Sequence, residues 1–480
     1  MSENDLSARA RWLAFAVLCL GDLMIVLDTT IVNVALPTIR TSLGFSETGL
    51  VWVVNAYLLT FGGFLLLGGR LADLYGQRKL FVGGVVVFTA ASLACGLALS
   101  QWMLIVARAA QGLGGAVVSA VALSLIMALF PEGPGRVRAM GYFGFVMAGG
   151  GSVGVLLGGV LTSVFDWRSI FLVNIPIGVA VVYFSMRLLP AAGGQAGERR
   201  LDVAGAVTVT AALLLAVYAI INGEQVGWGS LQTQGMLAAA ALVMAVFLII
   251  ETRTSEPLVP LGLFRLRNLA TANVIAVLWA AAMFAWFFLS ALFMQLVLGY
   301  SPLQVGLAFL PANLIMGAFS YSLSARMVNA FGVRRPLAAG LYVAGSGLVL
   351  FALAPAEASF ALHVLPPMLL LGVGAGMAFN PMLLAAMNDV GEKDSGLASG
   401  VVNTAFLMGG SLGLAVLASI AASRTNAMFE QNAANAQALT AGYHAAFLAG
   451  AACAAIAATL AAVLVRTKAP AGGVEAEPAE

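Results

Sequence analysis

Apolar positions in this chain run in long unbroken stretches, with almost no alternation and no narrow helical stripe. Fourteen stretches predict helices, near 13–36, 49–69, 80–100, 103–128, 138–163, 169–189, 203–222, 233–250, 270–297, 304–325, 336–354, 361–385, 396–420 and 443–465. A helix of about 20 apolar residues spans the hydrocarbon core of a bilayer. A helix that is apolar all round has no face for water, so these are predicted to be membrane helices.

Composition sharpens this picture. Of 480 residues, 61% are hydrophobic and 9% charged, against about 25% charged in soluble domains. The 54 glycines suit helices that approach closely in lipid. A net charge of +2 gives no reason to expect a nucleic-acid partner. Cys19, Cys95 and Cys453 fall in apolar runs and show no disulfide or metal-ligand spacing. Arg9 and Arg11 before an apolar run resemble a signal peptide. Asp22 and Asp28 interrupt that run and no small-x-small site follows it, so it reads as a retained first helix.

Charge placement supports the count. With fourteen crossings, nineteen of the 23 Lys and Arg fall on the face that carries both termini. Arg40, Arg168 and Arg424 fall on the other, and Arg108 stays inside the membrane. Such an asymmetry places the basic face, and both termini, in the cytoplasm. Removing one helix would scramble it. Removing the pair at 203–250 would not, so twelve helices plus a surface or re-entrant hairpin is the alternative.

The chain also repeats itself. Arg70, Asp73, Gly76, Arg78 and Lys79 are matched by Arg326, Asn329, Gly332, Arg334 and Arg335. Gly112-Leu113-Gly114 is matched by Gly372-Val373-Gly374, and Gly150–Gly154 by Gly409–Gly413. The offsets all lie near 256–260 residues. The expected architecture is therefore an all-α polytopic membrane protein. A six-helix bundle (1–189) is repeated as a second (268–466). A linker with two inserted transmembrane helices (190–267) lies between them, and a disordered tail (467–480) follows. Paired bundles of this kind are built around a midplane site in secondary transporters.

Asp28 stands deep in the first apolar run, where an ionisable group needs a partner, a proton or water. One reading is a site that binds a proton or a cation in turn: loss of water favours the neutral acid, and a nearby cation favours the carboxylate. The other is an Asp tied to neighbouring hydroxyls for packing. Asp22 lies about 120° round the helix and about 9 Å away along it, so the two cannot share one proton. It reads as a second protonation site or as a carboxylate held by an Arg or water. Arg108 requires a buried partner, with Asp22, Asp28 and Gln111 as candidates. The repeat puts Met368 opposite Arg108 and no carboxylate deep in the second half, so proton coupling is expected in the first bundle.

With these residues in view, the chain resembles the major facilitator superfamily, in its fourteen-helix drug:proton antiporter branch. Leu27–Pro37 resembles that branch's first-helix signature, and Gly69–Lys79 the superfamily's cytoplasmic loop motif. Arg108–Gly114 resembles the fourth-helix motif and Gly150–Gly159 the fifth-helix antiporter motif. The stretch from Asp166-Trp167-Arg168 to Asn174-Ile175-Pro176 completes the match. One departure is clear: Val155 stands where that family motif has a proline, which would bend the helix by removing a backbone hydrogen bond.

The resemblance implies that Arg108 takes part in proton coupling, the alternative being a purely structural salt bridge; Asp28 and Asp22 are its candidate companions. It implies a cytoplasmic latch of Arg70, Asp73, Gly76, Arg78 and Lys79, with Asp73 meeting the positive end of a helix near Ser395-Gly396. Gly150, Gly151, Gly154, Gly158 and Gly159 are spaced for close packing of the fifth helix. The candidate cavity residues are Asp28, Asn33, Trp52, Asn55, Tyr57, Gln111, Trp286, Gln295, Asn313, Asn380 and Asn403, joined by Trp279, Phe284, Phe287, Phe288 and Met294. Aromatics and Met suit flat amphipathic cations, although a single membrane aromatic more often faces lipid or core. His363 and His444 receive no role.

The function expected is secondary active export of amphipathic, cationic drugs in exchange for protons from a bacterial inner membrane. The alternative is export of one dedicated metabolite or antibiotic. Small-molecule substrate, protons and lipid are the expected partners. Related fourteen-helix exporters sometimes use a periplasmic adaptor, of which the sequence carries no mark. No cofactor is expected, the proton gradient supplying the energy. An enzyme would need a nucleophile–base pair or a metal cluster, and an ATP-driven pump a phosphate-binding loop. The sequence shows none of these.

Overall fold

The computed structural model describes residues 8–130, 134–189, 201–255, 257–391 and 395–466. Among them every regular element is helical. The expected linker at 190–200 and tail at 467–480 lie outside the described residues.

The first bundle comprises α1 (Ala8–Leu43), α2 (Val51–Tyr75), α3 (Gln77–Gly96), α4 (Gln101–Leu129), α5 (Pro134–Val164), and the short α6 (Ser169–Leu172) that continues into α7 (Asn174–Leu188). The inserted hairpin is α8 (Val203–Val226) and α9 (Leu231–Arg253). The second bundle comprises α10 (Arg267–Leu292), α11 (Pro302–Ala318) with α12 (Ser324–Phe331), α13 (Arg334–Phe351), α14 (Leu365–Met387), α15 (Ser395–Glu430) and α16 (Asn435–Leu464).

Each of the fourteen predicted segments holds helix, although α3 ends at Gly96 and α13 at Phe351, short of the predicted ends at 100 and 354. Several other ends run further than the apolar stretches, most clearly in α1 and α15 at 36 residues each. Polar terminal turns continue a helix beyond the hydrocarbon because its backbone is already ordered. Twelve helical stretches are long and apolar enough to cross a membrane, both inserted segments among them. The tenth segment is broken: α11 stops after 17 residues, and a π turn at Phe319–Leu323 precedes α12. The eleventh, α13, opens on Arg334-Arg335.

Ends are set by local chemistry. Ser100 caps α4 through Met103 N, and Ser230 caps α9 through Thr233 N. Ser301 and Gln304 form a reciprocal capping box on α11, with Pro302 in its first turn. Such contacts satisfy amide groups that have no partner within the helix.

Glycine seams hold each bundle, and the seams repeat. Gly150, Gly154 and Gly158 of α5 lie against Leu23–Ile31 of α1, and Gly409 and Gly413 of α15 lie against Val277 and Ala281 of α10. Gly112 of α4 meets Tyr57 and Thr60 of α2, and Gly372 of α14 meets Ala312 of α11. Gly114 meets Gly84 and Phe88 of α3, and Gly374 meets Gly340 and Ala344 of α13. Two six-membered bundles related by an internal repeat thus flank the inserted pair. Glycine is required here because the neighbour is backbone: a Cβ on Gly112 would lie 2.4 Å from Tyr57 O.

The bundles meet along two seams. α2 packs on α15, with Asn55 donating to Ser411 O at 3.0 Å and Gly62 against Leu407 and Met408. The inserted hairpin covers this side: Val209, Phe247 and Met408 cluster across α8, α9 and α15, and Thr210 lies against Gly63. The hairpin is tied at its base. Asp202 accepts from Gly205 N and Leu258 N, and Glu251 accepts from Val259 N. The other seam, α5 on α11, has no such cover and brings Gly159 onto Pro302 and Leu303, and Gly306 onto Val155 and Leu156. α5 runs as one uninterrupted helix, with Val155 fully buried in this seam.

Candidate functional site

Asp28 is 0% exposed and Arg108 1%. They form a salt bridge through Asp28 Oδ2 and an Arg108 terminal nitrogen, Nη1. The same nitrogen donates to Gln111 Oε1 at 2.6 Å, and Arg108 Nε donates to Val53 O at 2.9 Å. Asp28 Oδ1 accepts from Gln111 Nε2 at 2.6 Å and from Asn174 Nδ2 at 3.1 Å. Ser92 ties both amides, accepting from Gln111 at 2.8 Å and Asn174 at 3.4 Å, and donates to Phe88 O. The guanidinium carbon sits 4.4 Å from the Tyr57 ring centroid.

The cluster is neutral overall and draws on α1, α2, α3, α4 and α7. A buried ion pair is tolerable when its remaining polar positions are hydrogen-bonded, and removal of one partner strands a charge in low dielectric. Arg108 and Gln111 reach Asp28 together because residues three apart on a helix share a face. Asn174 arrives from the start of α7, just after the break at Val173.

Of the three candidate partners for Arg108, the structure supplies Asp28 and Gln111. Asp22 has a different neighbour on the same helix: Ser119 of α4 donates to its Oδ1. Both carboxylates therefore meet α4. The long α1 crosses α4 closely enough to be touched at two levels. Among the described residues no basic side chain pairs with Asp22.

The remaining candidates divide by place. Asn55 and Gln295 bridge the two bundles, the latter donating to Val34 O at 3.0 Å. Asn33 is bonded to its own helix at Thr29 O and Thr30 O. Trp52 faces Tyr218 of the inserted hairpin, away from the α5–α11 side. Trp279 and Trp286 are fully buried in the second bundle, where Trp286 packs on Phe287 and Phe309. Phe288 and Met294 are buried with them, and Phe284 packs on Phe406. Asn380 donates to Ser320 O within the π turn, and Asn403 is half-buried on α15. Asn313, 1% exposed, lines a cavity of about 720 Å³ between α5 and α11. Among the described residues, neither Asp28 nor any other acidic side chain lines that cavity.

At the basic face, Arg70 donates to Pro257 O and Arg78 to Met186 O. Gly76 joins α2 to α3 at φ 94°, a conformation that favours glycine. Lys79 is exposed. The side chains of Asp73 and Ser395, the two ends of the expected latch, lie outside what the structure describes, although Ser395 opens α15.

Two members of the buried cluster, Ser92 and Asn174, were not among the candidates. A serine within an apolar run carries little signal. Asn174 sat in plain view before Ile175-Pro176, and a polar amide at membrane depth was the sign.

A family model described as Major Facilitator Superfamily matches residues 18–414. The chain belongs to the major facilitator superfamily. Within this superfamily it is 39% identical over 416 residues to a cephamycin export protein of Amycolatopsis lactamdurans, covering 86% of this chain and 85% of that one. It is 38% identical over 424 residues to the multidrug resistance protein Stp of Mycobacterium tuberculosis, covering 88% and 78%. Among solved structures, an auto-inhibited POT family peptide transporter matches with a TM-score of 0.69 at 14% identity, over 98% and 99% of the two chains. That last likeness concerns the fold.

Proposed function

We propose that this superfamily member is a proton-driven exporter of amphipathic, antibiotic-type compounds. It crosses a bacterial plasma membrane fourteen times with its basic face and both termini in the cytoplasm. The observation that carries the reading is the fully buried Asp28–Arg108 pair, alone of its kind among the described residues. Names of relatives add support, since they describe cephamycin export and multidrug resistance.

The chemistry follows from burial. A proton arriving at Asp28 removes the negative member of the pair and leaves Arg108 with Gln111, Val53 O and the Tyr57 ring. A cation in that setting demands a new counter-group or water, so protonation favours a rearrangement of the helices around it. Rearrangement of α1, α4 and α7 together changes how the first bundle meets the second, which is alternating access driven by a proton. Arg70 works as an anchor in this scheme, holding the connector before α10 to the end of α2.

Substrate-driven proton flux in proteoliposomes tests this, with cationic ethidium and neutral Nile red as compounds. Wild type moves protons on addition of a compound, and Asp28→Asn, nearly isosteric, does not. Flux in Asp28→Asn equal to wild type would overturn the assignment of coupling to Asp28. Absence of flux in wild type with either compound would favour a dedicated substrate.

A further inference from the structure

The cleft between α5 and α11 has a shape that the glycines of α5 explain. Toward the face opposite the termini, the two helices touch through backbone: a Cβ on Gly159 would lie 2.8 Å from Pro302 O, and one on Gly306 3.0 Å from Val155 O. Toward the basic face they part, and a Cβ on Gly141, Gly144 or Gly149 would meet nothing within 4 Å. The space between is the cavity of about 720 Å³. Its rim residues Tyr142, Val153 and Leu314 are more than half exposed. At membrane depth, that exposure is to acyl chains.

Inside the wedge, the walls are almost wholly apolar. The buried polar side chains in that lining are Ser152 and Asn313. Asn313 is 1% exposed and has no hydrogen-bond partner for either its amide nitrogen or its carbonyl oxygen among the described residues. A buried amide with neither atom satisfied costs stability. An unpaired donor and acceptor set in a largely apolar lining is the pattern of a small-molecule site, in which few polar groups fix orientation.

We infer that the α5–α11 cleft is a binding site for an uncharged amphipathic compound with a neutral donor or acceptor group, such as an amide or ketone, which meets Asn313. This deepens the transport reading and rests on it for the fate of the compound. The charge follows from the lining: among the described residues no acidic side chain lines the cleft, and Asp28 is already held by Arg108. A cation entering here would lose its water for no counter-charge. A neutral, membrane-dissolved compound enters directly from the lipid and gains both apolar burial and one hydrogen-bonded amide.

The test is saturable binding of Nile red, an uncharged dye with a ketone acceptor, to the full chain in lipid nanodiscs without a proton gradient. Ethidium serves as the cationic comparison. Wild type binds Nile red and takes ethidium at least tenfold more weakly. Asn313→Leu weakens Nile red about tenfold and Asn313→Gln restores much of it. Gly149→Phe fills open space, keeps the thermal unfolding profile and abolishes binding. Asn313→Leu and Gly149→Phe are read by binding without a gradient and Asp28→Asn by proton flux, so loss of coupling alone is read separately from loss of this site. Ethidium binding equal to that of Nile red would overturn the proposal. So would Nile red binding unchanged by Gly149→Phe. An occupant excluded by Gly149→Phe but indifferent to Asn313→Leu is a lipid chain, which also overturns it.

Discussion

The two bundles share a backbone and differ in what fills it. Glycine seams at Gly112, Gly114, Gly150 and Gly154 recur at Gly372, Gly374, Gly409 and Gly413. Between those seams the first bundle holds an ion pair and four hydrogen-bonding side chains or rings. By the same register, Arg108 corresponds to Met368, Gln111 to Leu371 and Ser92 to Leu348. The seam that pairs Leu27 with Ala281 makes Ala282 the counterpart of Asp28. All four counterparts are buried and apolar. Duplication thus preserved the close helix packing that both halves need, and the charge survives in one half. At these four positions the second bundle carries no titratable side chain.

The most severe way to break this comparison is to remove one partner of the pair. Arg108→Leu leaves Asp28 charged without its cation, or neutral without its purpose. It is expected to cost about 3–5 kcal/mol of stability. At the matching site, Met368→Leu is nearly volume-conserving and is expected to cost under about 1.5 kcal/mol. Thermal unfolding of both variants in one detergent measures the contrast. Equal losses would mean that the first bundle's polar cluster is ordinary packing. The double variant Asp28→Asn/Arg108→Leu recovers part of the loss, because no unpaired charge remains.

How much of this was legible in the sequence depends on which force decides each feature. Helix positions were legible because a bilayer enforces long apolar runs. The repeat was legible because backbone-to-backbone contact tolerates only glycine, so Gly112 and Gly372 had to coincide. Asp28 and Arg108 were legible as a cost that must be offset somewhere. The partner actually chosen was not: one residue step on α1 turns a side chain by about 100°, and helix crossing decides which neighbour it meets. Asp22 meeting Ser119 shows this. The open α5–α11 wedge was also hidden. Asn313 was noticed as a polar residue, but its lack of partners depends on where Gly141 and Gly149 leave space on a helix far away in sequence. The lock of Asp202 and Glu251 onto Leu258 and Val259 had no sequence signal beyond two acids near helix ends.

If the bundles share their packing logic, matched glycines should fail alike. A Cβ on Gly112 would lie 2.2 Å from Thr60 Oγ1 and 2.4 Å from Tyr57 O, and one on Gly372 2.4 Å from Ala312 O. Gly112→Ala and Gly372→Ala are each expected to cost about 1–3 kcal/mol through overpacking. Thermal unfolding measures both. A large loss in one half with none in the other would show that only one seam is tight in the membrane, and the structural repeat would then not be an energetic one.

The smallest effect concerns how the halves hold together. Asn55 donates to Ser411 O at 3.0 Å, a single hydrogen bond from α2 to α15 on the side covered by the inserted hairpin. Asn55→Ala is expected to cost about 0.5–1.5 kcal/mol, a shift near the limit of a thermal assay. Its sharper readout is solvent access to a cysteine placed at Leu407, which lies against Gly62 in the same seam. If this seam is a closed hinge, labelling at position 407 rises only modestly in Asn55→Ala, because the hairpin still clamps α2 to α15. If the seam opens during transport, labelling rises severalfold on addition of a compound, and the variant amplifies it. The two results assign the moving side of the molecule: α5–α11 alone in the first case, both seams in the second.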